Sequence, residues 1–303
     1  MMRIALKVDV DTLRGTLDGV PALLRLLDRH GVRATFLFSL GPDHTGRAIK
    51  RVFRPGFLAK VRRTSVASHY GLRTLLYGTL LPGPDIGRRG ADVMRATAAA
   101  GHEVGIHCHD HIKWQDYVAR RGAEWTRREL ERAAAAFARV FGRAATVHGA
   151  AGWQINPHAL RLEEELGFAY ASDTRGTHAF LPVMDGVASR CPQLPTTLPT
   201  LDELIGREGI TAENVAARVL AATRDARPGG HVYTLHAELE GMQLLPVMDQ
   251  LLAGWRAAGH TVSTLEDGYR ALDIGGLPRH EVVWGEVEGR SGFLAVQGPP
   301  AAQ

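Results

Sequence analysis

With 303 residues, 36 Lys and Arg against 32 Asp and Glu, a formal net charge of +4 and 45% hydrophobic residues, the chain has an ordinary globular composition and enough length to bury a large core. The small net charge argues against a generic nucleic-acid binder, and the two cysteines, Cys108 and Cys191, are too few for a disulfide framework. Neither a signal peptide nor an apolar run approaching about twenty residues is evident, so a cytoplasmic protein is expected.

Ile4-Ala5-Leu6-Lys7-Val8 reads as a buried first strand that delivers Asp9 and Asp11. Two carboxylates at the end of an apolar run are costly unless they hold a metal or do chemistry, and their spacing of two aims both at one face of a regular strand. Gly19 to His30 reads as a helix with Val20, Leu23, Leu24 and Leu27 on one face and Pro21 at an early position. Val32 to Phe38 is a second buried strand. This unit predicts a parallel sheet with right-handed crossovers.

No Asp or Glu occurs from His44 to Pro84, where Arg47, Lys50, Arg51, Arg54, Lys60, Arg62, Arg63 and Arg73 are interleaved with apolar and aromatic residues. This basic and apolar insertion, bounded at 44–90, exceeds what a connector needs. It suits a surface that attracts phosphate and buries in a headgroup region, or else a helical excursion with a solvated basic face.

Ala91 to Ala100 is a helix leading through Gly101 into a third strand, His102 to His107. Thr126-Arg127-Arg128-Glu129 has capping-box form and opens a helix to Phe141, stopped by Gly142. Ala145 to His148 is a short strand that delivers Gly149-Ala150-Ala151-Gly152-Trp153. Pro157 to Leu166 is a helix, and the strand Phe168 to Ser172 ends at Asp173-Thr174-Arg175-Gly176. Cys191 to Pro199 is proline-rich and irregular. A helix from Thr211 to Arg224, a strand from Gly230 to His236, a helix from Leu245 to Ala258 and a strand from His260 to Ser263 bring the count to about seven strand-helix units. Val282 to Val287 and Phe293 to Val296 would pair as a hairpin around Gly289, with a loose tail from Gly298. The expected organisation is one α/β barrel over 1–275 and a terminal hairpin and tail over 276–303.

Asp9, Asp11, His107, His111, Trp153, Asp173, Arg175 and His236 all fall at or just beyond the C-terminal ends of these strands, which in a parallel barrel face one mouth. Asp11, His107 and His111 make a two-histidine, one-carboxylate set that suits zinc, manganese, cobalt or ferrous iron and leaves positions open. The four-residue histidine spacing would aim both imidazoles one way on a helical turn or tight loop. Of the two aspartates, one can ligate while the other accepts a proton from water, and His236 is placed to protonate a leaving amine. Trp153, Asp173 and Arg175 are candidates to contact substrate, Trp153 as an apolar wall and Arg175 for an anionic group. Cys108 reads as a buried thiol.

Asp9-Val10-Asp11-Thr12, His107 to His111, Ser172-Asp173-Thr174-Arg175-Gly176 and Leu235-His236 resemble, in order and character, the motifs of the polysaccharide deacetylase superfamily. The likeness runs over nearly the whole chain. It is strongest to a bacterial branch of deformylases in lipid A modification, through Phe38 to Asp43, Ala150 to Trp153, Leu198 to Arg207 and Tyr233 to Glu238. The resemblance implies a distorted seven-stranded β/α barrel and a divalent-metal-dependent amide hydrolase. It assigns Asp9 as base, Asp11, His107 and His111 as metal ligands and His236 as acid. The implied substrate is a polyprenyl phosphate-linked formamido sugar, met at the inner face of the cytoplasmic membrane, with a role in resistance to polymyxin. The superfamily often has adjacent aspartates where Val10 intervenes here, and an arginine-proline motif where Ala150-Ala151-Gly152-Trp153 stands. The residue orienting Asp9 is therefore open, with Arg175 a candidate. Rival expectations are an N-deacetylase of peptidoglycan or another polysaccharide, a ferrous oxygenase using the same ligands, and a non-catalytic lipid-binding protein.

Overall fold

A computed structural model describes residues 2–48, 73–227 and 229–301. Most of the basic stretch, 49–72, lies outside the described residues. The strands in chain order are β1 (Arg3–Val10), β2 (Thr35–Ser39), β3 (Glu103–Cys108), β4 (Val147–His148), β5 (Tyr170–Ala171), β6 (Leu181–Met184), β7 (Val187–Ala188), β8 (His231–His236), β9 (Thr261–Ser263), β10 (Arg279–Glu286) and β11 (Phe293–Pro300). Seven of them form one parallel sheet in the order β5-β4-β3-β2-β1-β8, with β9 also paired to β1.

β1 is buried on both faces, as a central parallel strand should be. Ile4, Leu6, Val8 and Val10 point outward and join Leu23 and Leu27 of the helix Val20–His30 in the main core. Ala5 points inward and closes the bottom of the barrel with Leu37, Val147, Tyr170, Leu194, Val232 and Leu265. By the same alternation Lys7 and Asp9 sit above that plug, on the inner wall. The register places Asp9 beside Leu37 of β2 on one side and His236 of β8 on the other.

β5 and β8 do not pair with each other. The proline-rich Cys191 to Leu198 segment runs between them and completes the barrel wall. Ala171 N donates to Pro192 O at 2.8 Å and Leu194 N to Ala171 O at 2.8 Å, while Thr197 N and Leu198 N donate to Val232 O at 3.1 and 3.2 Å. Pro192, Pro195 and Pro199 lack the donors of a continuous ladder, so the closure is irregular and the barrel is distorted at this seam.

Several boundaries differ from the sequence expectation. The helix expected to open at Thr126 instead spans Ala123–Phe141, and the Thr126 hydroxyl donates to Gly122 O at 3.1 Å inside its first turn. It ends as expected at Gly142, at φ 69°. The terminal hairpin forms with antiparallel register, but β11 runs to Pro300 where a loose tail was expected from Gly298. Its partner β10 also pairs in parallel with β6, which pairs with β7, so a second, four-stranded sheet lies beside the barrel. Among the described residues no helix is long and apolar enough to cross a membrane.

Candidate active site

Asp9 is the penultimate residue of β1 and Asp11 lies one residue past its end. His107 belongs to β3, whereas His111 opens the helix His111–Tyr117, whose N-cap is Asp110 with its side chain accepting from Lys113 N. The two imidazoles therefore meet across a strand-to-helix junction rather than on one helical turn. Asp11 Oδ1 lies 3.3 Å from His107 Nε2 and 3.4 Å from His111 Nε2, and the ring centroids are 5.3 Å apart.

His107 Nδ1 donates to Gly149 O at 2.6 Å, which leaves the lone pair on Nε2, the nitrogen facing Asp11. Asp11 Oδ1 is buried and accepts no hydrogen bond. One oxygen and two imidazole nitrogens, all within 4.8 Å of one another, fit a divalent ion, and the partnerless oxygen gives the set a reason to exist. Burial would raise the Asp11 pKa, but His111 and His107 beside it hold the carboxyl well below the usual range.

The loop carrying Asp11 is clamped from β8. Glu238 Oε1 accepts from Asp11 N at 3.1 Å, Thr12 N at 2.8 Å and Thr12 Oγ1 at 2.7 Å. A side chain at Gly15 would place its Cβ 1.9 Å from that same oxygen, so it would have to displace the Glu238 carboxyl from its three donors. Burial and the nearby Asp11 charge push the Glu238 pKa well above its ordinary value. The sequence signal for Glu238 is the Thr12 and Gly15 pair against which its carboxyl packs.

Lys7 is the residue found at Asp9. Its Nζ lies 3.6 Å from Asp9 Oδ2, donates to Ser172 O at 2.7 Å and sits 5.5 Å from the Trp153 ring centroid. Asp9 Oδ1 is buried, accepts no hydrogen bond and stands 3.8 Å from His107 Nδ1. A lysine in an otherwise apolar strand, two residues before Asp9 and on its face, was the available signal. His236 lies alongside in the sheet register, and its buried Nδ1 has no partner. Its backbone N–H donates to Glu240 Oε2 at 2.9 Å, and burial pushes that glutamate up to about 7.

The three candidates for substrate contact are each held by groups of the protein itself. Arg175 does not reach Asp9. Its guanidinium is ion-paired to Glu203, donates to Leu198 O at 3.1 Å and lies 5.2 Å from the Trp153 ring centroid, so its anion is the protein's own. Trp153 is only 2% exposed, with the Arg290 guanidinium at 4.7 Å, and it forms the floor under cationic side chains instead of an open apolar wall. Asp173 is fully buried and both its oxygens are taken by protein donors, Ala150 N at 2.7 Å and Gln193 Nε2 at 2.6 Å. Cys108 is buried against Ser39, and burial raises its thiol pKa well above the ordinary value.

A sequence profile described as polysaccharide deacetylase matches residues 3–171. A Shewanella sediminis protein described as a probable 4-deoxy-4-formamido-L-arabinose-phosphoundecaprenol deformylase is 36% identical over 295 residues, covering 97% of this chain and 94% of that protein. A protein of Wigglesworthia glossinidia brevipalpis with the same description is 30% identical over 284 residues, covering 93% and 98%. Among solved structures, a Mycobacterium smegmatis protein described as a polysaccharide deacetylase superposes with a TM-score of 0.62 at 18% identity, covering 94% of each chain. A peptidoglycan N-acetylglucosamine deacetylase superposes with a TM-score of 0.53 at 17% identity, covering 89% of each. These two structures establish likeness of fold.

Proposed function

The chain belongs to the polysaccharide deacetylase family and is a hydrolase of carbon–nitrogen amide bonds, and from that premise we propose that it removes the formyl group from an undecaprenyl phosphate-linked 4-formamido sugar. The observation that carries the chemistry is the buried, partnerless Asp11 Oδ1 set between two imidazole nitrogens, two residues from a second carboxylate. The substrate class rests on the two relatives that align over more than nine-tenths of this chain.

In this reading Asp11, His107 and His111 hold a divalent ion such as zinc, manganese or cobalt. When bound, it would polarise the amide carbonyl and lower the pKa of water toward neutrality. Asp9 accepts the proton as water attacks the formyl carbon, and Lys7, itself fixed to Ser172 O, orients that carboxylate through Oδ2. As the carbon–nitrogen bond breaks, His236 donates a proton to the departing nitrogen. Formate and a free amine result. The Glu238 clamp keeps Asp11 on the same face as Asp9 while these protons move.

The amine adds positive charge to the lipid, which would serve lipid A modification and resistance to cationic peptides such as polymyxin. A chain that meets such a substrate would work as a peripheral protein at the inner face of the cytoplasmic membrane. Exposed Leu80, Leu76 and Leu81 border the basic stretch in the connection after β2, on the side of the strand ends, and suit contact with a lipid surface.

Mass spectrometry of products from paired substrates tests the assignment. The formylated lipid-linked sugar should lose its formyl group at least about 10²-fold faster than its acetylated counterpart or an acetylated peptidoglycan oligosaccharide, given what pocket contacts can discriminate. Faster turnover of the acetylated oligosaccharide would favour the peptidoglycan reading instead.

A further inference from the structure

The contact behind His107 is one peptide group held at both ends. The Gly149 carbonyl accepts from His107 Nδ1 at 2.6 Å, and the N–H of the same peptide, on Ala150, donates to Asp173 Oδ1 at 2.7 Å. Asp173 is in turn locked by Gln193, whose Nε2 donates to Oδ2 at 2.6 Å and whose Oε1 accepts from Asp173 N at 3.0 Å. Behind it stands His148, with Nδ1 3.2 Å from Asp173 Oδ1 and 2.7 Å from Glu163 Oε1. All three residues of this cluster are fully buried.

Three buried ionisable groups in contact are expensive, so their charge state is informative. Burial alone would lower the His148 pKa, but Asp173 and Glu163 raise it to about 10. Burial and the Asp173 charge push Glu163 up to about 8. Against the effect of burial, the adjacent His148 also lowers the Asp173 pKa, which favours an imidazolium beside an Asp173 carboxylate that faces the Ala150 amide. The short contacts are hydrogen-bonded ones and Asp173 Oδ1 already has a donor, which favours a fixed support over a second cation site.

We propose that Asp173 is a positioning residue for His107: through the single Gly149–Ala150 peptide it fixes the ring orientation and tautomer that point Nε2 at Asp11. A charge-assisted bond at the N–H end polarises the peptide and strengthens its carbonyl as an acceptor. A carbonyl behind a ligating histidine holds the ring and raises its basicity, and losing such a partner costs about 10- to 100-fold in metal affinity. The peptide also lies tight against the barrel wall, since a Cβ on Gly149 would come within 2.4 Å of Leu37 Cδ1. The inference rests on reading Asp11, His107 and His111 as a metal site.

Zinc dissociation constants, measured by competition with a chromophoric chelator, test it. Asp173→Asn removes the charge, and Ala150→Pro removes the N–H at a residue whose φ of −61° already suits proline. Each should weaken zinc by about 10- to 100-fold. In the metal-free variants the His107 Nδ1–H proton should move upfield in nitrogen-edited NMR spectra, a signature that loss of global stability does not produce. A folded variant with zinc affinity within about twofold of wild type and an unshifted Nδ1–H resonance would overturn the proposal. Should neither variant fold, wild type decides: zinc addition should shift the Ala150 amide and His107 Nδ1–H resonances together, and an unmoved Ala150 amide would overturn it. Wild type that binds no zinc would instead sink the metal reading itself.

Discussion

Asp11→Ala is expected to lose tight divalent-metal binding and formate release together while keeping its fold. Asp11 supplies the sole oxygen of the three-atom set, and its Oδ1 takes no hydrogen bond from the protein. Its removal should cost more than the about 10- to 100-fold in affinity that follows loss of a supporting partner. The backbone nearby is held independently, because Glu238 grips the N–H groups of residues 11 and 12 rather than the Asp11 carboxylate. Deleting a buried charge that lacks a full set of partners should leave the melting temperature of the metal-free protein unchanged or raised. Calorimetric zinc titration and thermal melts of the same samples read both effects. A variant that still binds zinc like wild type would remove Asp11 from the site.

The second large effect separates base from ligand. Asp9→Asn should bind zinc within a few-fold of wild type yet lose about 10³-fold in kcat, or about 4 kcal/mol of barrier, the usual scale for a general base. Asn keeps the shape of the carboxylate beside Lys7 but cannot take the proton. Because Oδ1 faces His107 at 3.8 Å and Oδ2 faces Lys7 at 3.6 Å, neither contact requires Asp9 to ligate. Single-turnover rates at saturating zinc measure the loss directly. Loss of zinc binding with retained turnover at high metal would reverse the roles of Asp9 and Asp11.

The placement of these side chains is largely legible in the sequence because a parallel barrel sends every strand end to one mouth, and apolar runs ending in Asp, His or Trp can be read one at a time. The positions of Asp9, Asp11, His107, His111 and His236 needed only that rule. The partners of other strand-end residues can be read only from distances between strands. Arg175 and Asp173 stand at strand ends like the others, but Glu203 and His148 claim them from more than twenty residues away. Lys7 is hard to read as a site residue because it sits within an apolar strand, although its burial is tolerated only with a carboxylate or carbonyl at its tip. The Cys191 to Leu198 seam has no periodicity to read, since it pairs through scattered bonds around prolines. The second sheet depended on β6, a four-residue strand with a proline in it, finding β10 about a hundred residues later.

Formate release from the lipid-linked formamido sugar, followed before and after chelation, tests the hydrolase assignment most directly. Protein stripped of metal should release no formate, and addition of zinc, manganese or cobalt should restore release in wild type but not in His107→Ala. Undiminished formate release by the stripped protein, or equal restoration in His107→Ala, would contradict it.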